Sequence, residues 1–174
     1  MRTFIVALSL ILAAVVSNTE SCKLSMNPLK GGSTYSDTTK IRVAAFTNNA
    51  SLAKATLPQT MAEALRDAIQ SQTKMELVPR GGDLVYEGTI TGYSVSPVSI
   101  QAGTNQTAAL NRLTIIVSVK FTDTHDETKC FETSFSRFAD YNSTKNLTAV
   151  EDELIKDISS QLVQDILNRS INNW

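Results

Sequence analysis

The sequence predicts an α+β domain: a small, mainly antiparallel sheet with two helices packed on one face, in the order β-α-β-β-β-α. Three observations predict it. Two segments carry apolar residues at helical spacing, one stripe each. Between them, apolar residues recur at every second position, the period of a half-buried strand. A run of strands beside helices, instead of strict alternation with them, argues α+β.

The first strand is read at Lys40 to Phe46, where Ile41, Val43 and Ala45 share a face. A polar connection, Asn48 to Ala55, leads to a helix opened by Thr56-Leu57-Pro58-Gln59. There Thr56 can cap, Gln59 can reach back as in a capping box, and proline is tolerated in a first turn. Leu57, Met61, Leu65, Ala68 and Ile69 form the buried stripe, and the helix should end near Thr73. Met75 to Val78 is a short strand, followed by the turn Pro79-Arg80-Gly81-Gly82-Asp83.

Leu84 to Val95 reads as a long strand. Leu84, Tyr86, Gly88, Ile90 and Gly92 lie on one face; Val85, Tyr93 and Val95 lie on the other. Gly88 and Gly92 point to bulges or close backbone approach. Ser96 to Ala109 reads as a polar loop with Pro97, Gly103 and Asn105. Leu110 to Thr122 alternates most regularly, with Leu113, Ile115, Val117, Val119 and Phe121 on one face. A charged connection, Thr122 to Lys129, leads to a strand from Cys130 to Phe138 whose period slips at Arg137-Phe138, as at a bulge. After the loop Asp140 to Leu147, Thr148-Ala149-Val150-Glu151 reads as a second capping box. The closing helix has a broad stripe running from Val150 through Leu154, Ile158 and Leu162 to Leu167, with Glu151, Asp152 and Glu153 read in its first turn. With both helices on one face, the other face of the sheet must meet solvent or a partner. Val85, Tyr93, Val95, Ile116 and Phe138 are read there, more apolar residues than a free surface needs.

The chain has 174 residues, a length that favours one domain. Its formal net charge of -1 gives no global pull toward nucleic acid or anionic lipid. One His and two Cys are a poor inventory for metal or redox chemistry, and no cofactor is expected. His125 sits in the hydrophilic turn Asp123-Thr124-His125-Asp126-Glu127, where a solvated turn outweighs a metal ligand because no second His exists to complete a set. Cys130 has no candidate base near it in sequence. Pro79-Arg80-Gly81-Gly82 lacks the lysine and helix of a phosphate loop. No constellation supports an enzyme.

The N-terminus reads as an export signal over residues 1–21: Arg2 is followed by an apolar run from Phe4 to Val16, too short for a bilayer core that needs ~20 apolar residues. Two readings of its end stand open. Val15-Val16-Ser17 suits an ordinary signal peptidase. Ser21-Cys22 suits the end of a lipobox, with Cys22 acylated, although Thr19 and Glu20 occupy positions where small or aliphatic residues are common. Residues 22–39 then read as a flexible tether and residues 40–174 as the single domain. Against acylation stands a Cys22–Cys130 disulfide, reasonable for two cysteines in an exported chain and fitting a secreted, soluble α+β binding domain.

Several segments together resemble the lipopolysaccharide-assembly lipoprotein family LptE, in a divergent branch. They are Phe46-Thr47-Asn48-Asn49-Ala50, Leu65-Arg66-Asp67 through Ser71-Gln72-Thr73-Lys74, Gly82-Asp83-Leu84-Val85-Tyr86-Glu87-Gly88 and Ile90-Thr91-Gly92-Tyr93-Ser94-Val95-Ser96-Pro97. Ala108-Ala109-Leu110-Asn111-Arg112-Leu113, Ser134-Phe135-Ser136-Arg137-Phe138-Ala139-Asp140 and the final Asn173-Trp174 complete the set, so the resemblance spans Lys40 to Trp174. It implies a protein held by acyl chains on the periplasmic face of the outer membrane, with Cys22 the anchored residue. It also implies a plug inside the LptD β-barrel that helps the barrel assemble and binds lipopolysaccharide. Such a plug needs exposed cations near loops or strand ends, since Arg grips phosphate bidentately. Arg112, Arg137, Lys120 and Arg80 are the candidates, with Lys74 also available; each could equally pair with a neighbouring carboxylate.

Overall fold

The computed structural model describes residues 35, 36, 38–102 and 106–171. The export segment, Cys22 and the final Asn173-Trp174 lie outside the described residues.

The described residues form a six-stranded sheet and two long helices. The strands are β1 (Lys40–Val43), β2 (Thr47–Asn48), β3 (Glu76–Leu77), β4 (Leu84–Ala102), β5 (Gln106–Asp123) and β6 (Phe131–Asn142). Helix α1 (Leu57–Gln72) follows β2, α2 (Leu147–Ser170) follows β6, and a 3-10 turn (Glu127–Lys129) joins β5 to β6. The order across the sheet is β3-β1-β4-β5-β6, with β2 beside β4. Long antiparallel ladders join β4, β5 and β6, while β1 and β2 add short parallel pairs. The α+β architecture matches the expectation, but the observed order is β-β-α-β-β-β-β-α: β2 is an additional short strand, and the short strand read at Met75 to Val78 forms as β3, making four strands between the helices where the order read from the sequence had three.

Burial explains the elements. Leu57, Met61, Leu65 and Ile69 of α1 are wholly buried, as are Ile158, Leu162 and Ile166 of α2. They pack on Ile41, Leu84, Tyr86, Ile90, Leu113, Ile115, Val117, Val119 and Phe121, all from one face of the sheet. Each such side chain is worth about 1.5–3 kcal/mol on burial. Three polar ties hold α2 along the strands: Tyr93 to Glu151 (2.5 Å), Arg137 to Asp165 (2.5 and 2.7 Å) and Tyr86 to Ser170 (2.7 Å).

Both helix starts differ from the capping boxes read in the sequence. Thr56 has helical dihedrals and its side chain caps nothing; the Leu57 amide donates to Lys54 in a preceding turn, and Gln59 bonds Glu63. At α2 the cap is Asn146, whose Oδ1 accepts from the Thr148 amide at 3.1 Å. Asn ranks above Thr as a cap, and the earlier start leaves Glu151 free to accept from Tyr93. It also places Glu151, Asp152 and Glu153 beyond the first turn.

Two strand readings are corrected. A bulge lies in β4 between Ile90 and Gly92, because Ile90 pairs with Val117 while Gly92 pairs with Ile116. The extra residue, Thr91, inverts every face beyond it. Tyr93 and Val95 therefore lie on the helix side and Gly92 faces away. By contrast, β6 keeps unbroken register with β5 from Phe131 to Asn142, so the slip at Arg137-Phe138 is no bulge. Arg137 instead stands on the helix side to meet Asp165, and Phe138 stands opposite.

The stretch from Ser96 to Ala109, read as a loop, is mostly strand: β4 runs to Ala102 and β5 begins at Gln106. Pairing with β1 and β2 ends at Ile90, so beyond it β4 has β5 alone as its neighbour. Pro97 is tolerated there because the outer edge of β4 needs no ladder donor. Ladder pairs continue past the end of β6 at Asn142, so the last turns of the hairpin extend as a two-stranded arm.

Candidate functional site

Among the described residues, no element packs on the face of the sheet away from the helices. The ladder register arranges its residues in rows across β4, β5 and β6. Glu87, Lys120 and Glu132 form one row; Thr89, Ser118 and Ser134 the next; then Gly92, Ile116 and Ser136. Ser94, Thr114 and Phe138 follow, and Ser96, Arg112 and Asp140 close the series. Thr47 extends the Thr89 row, with its hydroxyl 2.9 Å from that of Thr89.

The charges on this face are largely engaged. Arg112 makes a two-pronged ion pair with Asp140 (2.7 and 2.8 Å), and its guanidinium lies 3.7 Å from the centroid of the Phe138 ring. The pair raises the pKa of Arg112 and holds the Asp140 carboxyl below its usual range, chiefly through the hydrogen bonds between them. Lys120 lies 3.9 Å from Glu87 and opposite Glu132. Phe138 remains 47% exposed, so an aromatic ring stacked on an arginine is presented outward. Beside the charged row at the other end lies a groove of about 450 Å³ lined by Ala44, Ala45, Thr47, Thr89, Ser118 and Lys120 among others.

The four candidate cations are not brought together. Arg112 and Lys120 share the open face but stand in rows at opposite ends of it. Arg137 is on the helix side, paired with Asp165, whose hydrogen bonds raise its pKa. Arg80 is exposed in the turn after β3 and has no ion-pair partner among the described residues. Lys74 is exposed just beyond α1.

A second polar cluster, missed in the sequence, ties the start of the domain to the β5–β6 connection. Asp123 is 2% exposed and accepts from the Tyr35 phenol (2.8 Å) and from the amides of His125 (2.8 Å) and Asp126 (3.1 Å). Lys129 lies over the Tyr35 ring at 4.7 Å. Tyr35, inside the segment read as tether, is thus held against the β5–β6 connection. His125 is exposed, with Asp83 4.0 Å from its ring. Cys130 is a free, exposed thiol, and the partner read for it, Cys22, is outside the described residues. Among the described residues no cluster of His, Cys, Asp or Glu could hold a metal ion, and no helix is long and apolar enough to cross a membrane.

The family model described as LptE, lipopolysaccharide-assembly, matches residues 38–170. No curated protein matches the chain. Among solved structures, a protein from Xanthomonas campestris aligns with a TM-score of 0.50 at 15% identity, over 76% of this chain and 86% of its own. A minor lipoprotein from Acinetobacter baumannii aligns with a TM-score of 0.46 at 14% identity, over 75% of this chain and 91% of its own. Rare lipoprotein B from Shewanella oneidensis gives 0.44 at 15% identity, over 73% and 91%.

Proposed function

This chain belongs to the lipopolysaccharide-assembly family LptE, and on that premise we propose that it is an outer-membrane lipoprotein that plugs and helps assemble an LptD-type β-barrel. One observation carries the reading: the family match runs over residues 38–170, nearly the whole folded domain, not over one motif. In this reading Cys22 carries the acyl anchor at the periplasmic face of the membrane, and the tether read over residues 22–39 connects it to the domain. An acyl anchor with more than one chain exceeds the marginal binding that a single chain gives.

The protein also contacts lipopolysaccharide in this reading. Of the four candidate cations, Arg80 has no carboxylate partner to displace among the described residues. Arg112 and Arg137 would have to exchange Asp140 and Asp165 for a phosphate, and Lys120 would have to leave Glu87. A phosphate can compete for an arginine through the same bidentate geometry, but it begins with an advantage at Arg80.

The test is purification of the tagged mature protein from detergent-solubilised outer membranes, with mass spectrometry of its companions and of its own N-terminus. A large β-barrel in near-equal amount, together with an acylated Cys22, is the expected result. A lone soluble protein with Cys22 bonded to Cys130 overturns the reading.

A further inference from the structure

We propose that the open face of the sheet is the surface by which this chain docks on the inner wall of its β-barrel partner, sheet against sheet. The inference rests on the barrel-plug reading and adds which face makes the contact.

The face has the chemistry of a barrel lumen. Between the row of Glu87, Lys120 and Glu132 and the row of Ser96, Arg112 and Asp140 lie three successive rows without a single charge. Apart from Gly92, Ile116 and Phe138, these rows consist of serine and threonine. Such hydroxyls donate and accept, so they can satisfy the polar side chains and waters that line a barrel interior. Acyl chains fit poorly, because they would strip those hydroxyls of hydrogen bonds and return none. An anionic headgroup also fits poorly, because the strip has no cation of its own and the flanking Arg112 and Lys120 already face Asp140 and Glu87.

Shape and size agree with a wall. Gly92 leaves room for no more than close packing: a Cβ there would lie 3.0–3.1 Å from the Ile116 side chain, so the middle row is low and filled. Small side chains let two sheets approach to the usual ~10 Å spacing. From Val85 to Val98 across three strands, the face measures roughly 40 by 10–15 Å at standard strand dimensions. That footprint, roughly 400–600 Å², is the larger part of the ~800 Å² that each partner gives to a stable interface. The exposed Phe138 ring, stiffened by Arg112, supplies the single large anchor near its end. The opposite side of the molecule contrasts with it: the outer faces of the helices expose Glu63, Asp67, Glu153, Lys156 and Asp157, a surface suited to water.

The test uses the full chain in its native envelope. A photo-crosslinking phenylalanine analogue replaces Ser118 or Ser134 in the strip, or Lys156 on α2. We expect the strip positions to crosslink to the barrel at least tenfold more than Lys156. Charge is then introduced separately: Ser118→Arg and Ser134→Glu should lower copurification of the barrel about tenfold, while Lys156→Glu leaves it unchanged. Thermal unfolding of each variant checks folding, and the crosslinking variants carry the test if the charged ones fail to fold. Three results overturn the proposal. If Lys156 crosslinks and the strip does not, the helix face docks and the plug reading survives. If the strip crosslinks to a second copy of this chain, the face is a homodimer interface. If the unsubstituted protein brings down no barrel, the plug reading falls and this inference falls with it.

Discussion

Tyr93 and Glu151 share a 2.5 Å hydrogen bond that ties β4, just past its bulge, to the second turn of α2. The phenol is 8% exposed and sits on the helix side only because Thr91 inserts an extra residue. Tyr93→Phe keeps the ring and removes the donor, leaving the half-buried Glu151 carboxylate without it. The expected loss is about 1–2 kcal/mol. It should appear as a lower urea midpoint at unchanged slope; an unchanged midpoint would mean that water replaces the phenol at no cost.

The same tyrosine belongs to a group that makes stability fall in alkali. Burial is the largest cause raising the pKa values of Tyr35, Tyr86 and Tyr93 above the ordinary 10.0; carboxylate contacts add to it at Tyr35 and Tyr93. In the unfolded chain these phenols lose their protons near pH 10, while in the folded chain they keep them. Above pH 10 the folded state thus binds more protons, and stability must decrease as pH rises. Unfolding free energy should be flat in this respect below pH 10 and fall beyond it. Tyr93→Phe should show a shallower fall than the unsubstituted protein, since it has one fewer such group; parallel slopes would remove Tyr93 from the account.

Gly88 lies beneath the Phe46 ring. A Cβ at Gly88 would sit 2.1–2.5 Å from three ring carbons, a distance that forces one of them to move. Phe46 is 6% exposed and cannot simply swing into solvent without leaving the core. Gly88→Ala should cost about 1–3 kcal/mol as overpacking. The clash is tested by a double-mutant cycle: in a Phe46→Leu background the alanine should cost much less. An equal cost in both backgrounds would place the defect in the backbone and not in the ring.

The glycine also shows what the sequence could and could not express. Gly88 and Gly92 mark an irregular strand, but the letters do not say where the extra residue falls, and one residue reverses every later face. That is why Tyr93 and Val95 read as open-face residues and are not. The alternation in β5 and the helical stripes of α1 and α2 were legible because many residues repeat one period, and a single exception does not erase it. The hairpin arm was hidden by Pro97, Gly103 and Asn105, residues that read as a turn although Pro97 is harmless on a free edge. Arg137 looked like an interruption because its partner, Asp165, is 28 residues away. The open-face rows were partly legible: Ile116 and Phe138 were placed correctly, but their neighbours depend on the register, which is a tertiary fact.

Tyr35 marks where the domain takes hold of the segment that leads to the proposed anchor. Its phenol is one of three donors to the buried Asp123 carboxylate. Tyr35→Phe should cost about 1.5–3 kcal/mol, the range for losing a bond to a charged group. The segment should also detach locally before the sheet unfolds, because the amides of His125 and Asp126 still hold Asp123. Limited proteolysis under native conditions should therefore cut near residue 35 faster in the variant, with the rest of the domain intact. Equal cutting rates would show that packing of the ring, and the Lys129 contact above it, hold the segment without the hydrogen bond.

The four candidate cations make unequal predictions for lipopolysaccharide. Arg80 is exposed and has no carboxylate within ion-pair distance among the described residues. Arg137 is paired to Asp165 on both nitrogens that face it, and that pair helps seat α2 on β6. Removing Arg80 thus subtracts charge from the proposed binding surface and little from the fold; exposed ion pairs themselves are worth only about 0–1 kcal/mol. Arg80→Ala should weaken lipopolysaccharide binding several-fold, more at low salt than at high, with unchanged thermal stability. Arg137→Ala should leave binding nearly unchanged and lower stability slightly. Binding by the purified mature protein, measured at two salt concentrations, separates the cases. The reverse order of effects would mean that the lipid draws Arg137 away from Asp165, and that the contact lies beside α2 and not at the turn after β3.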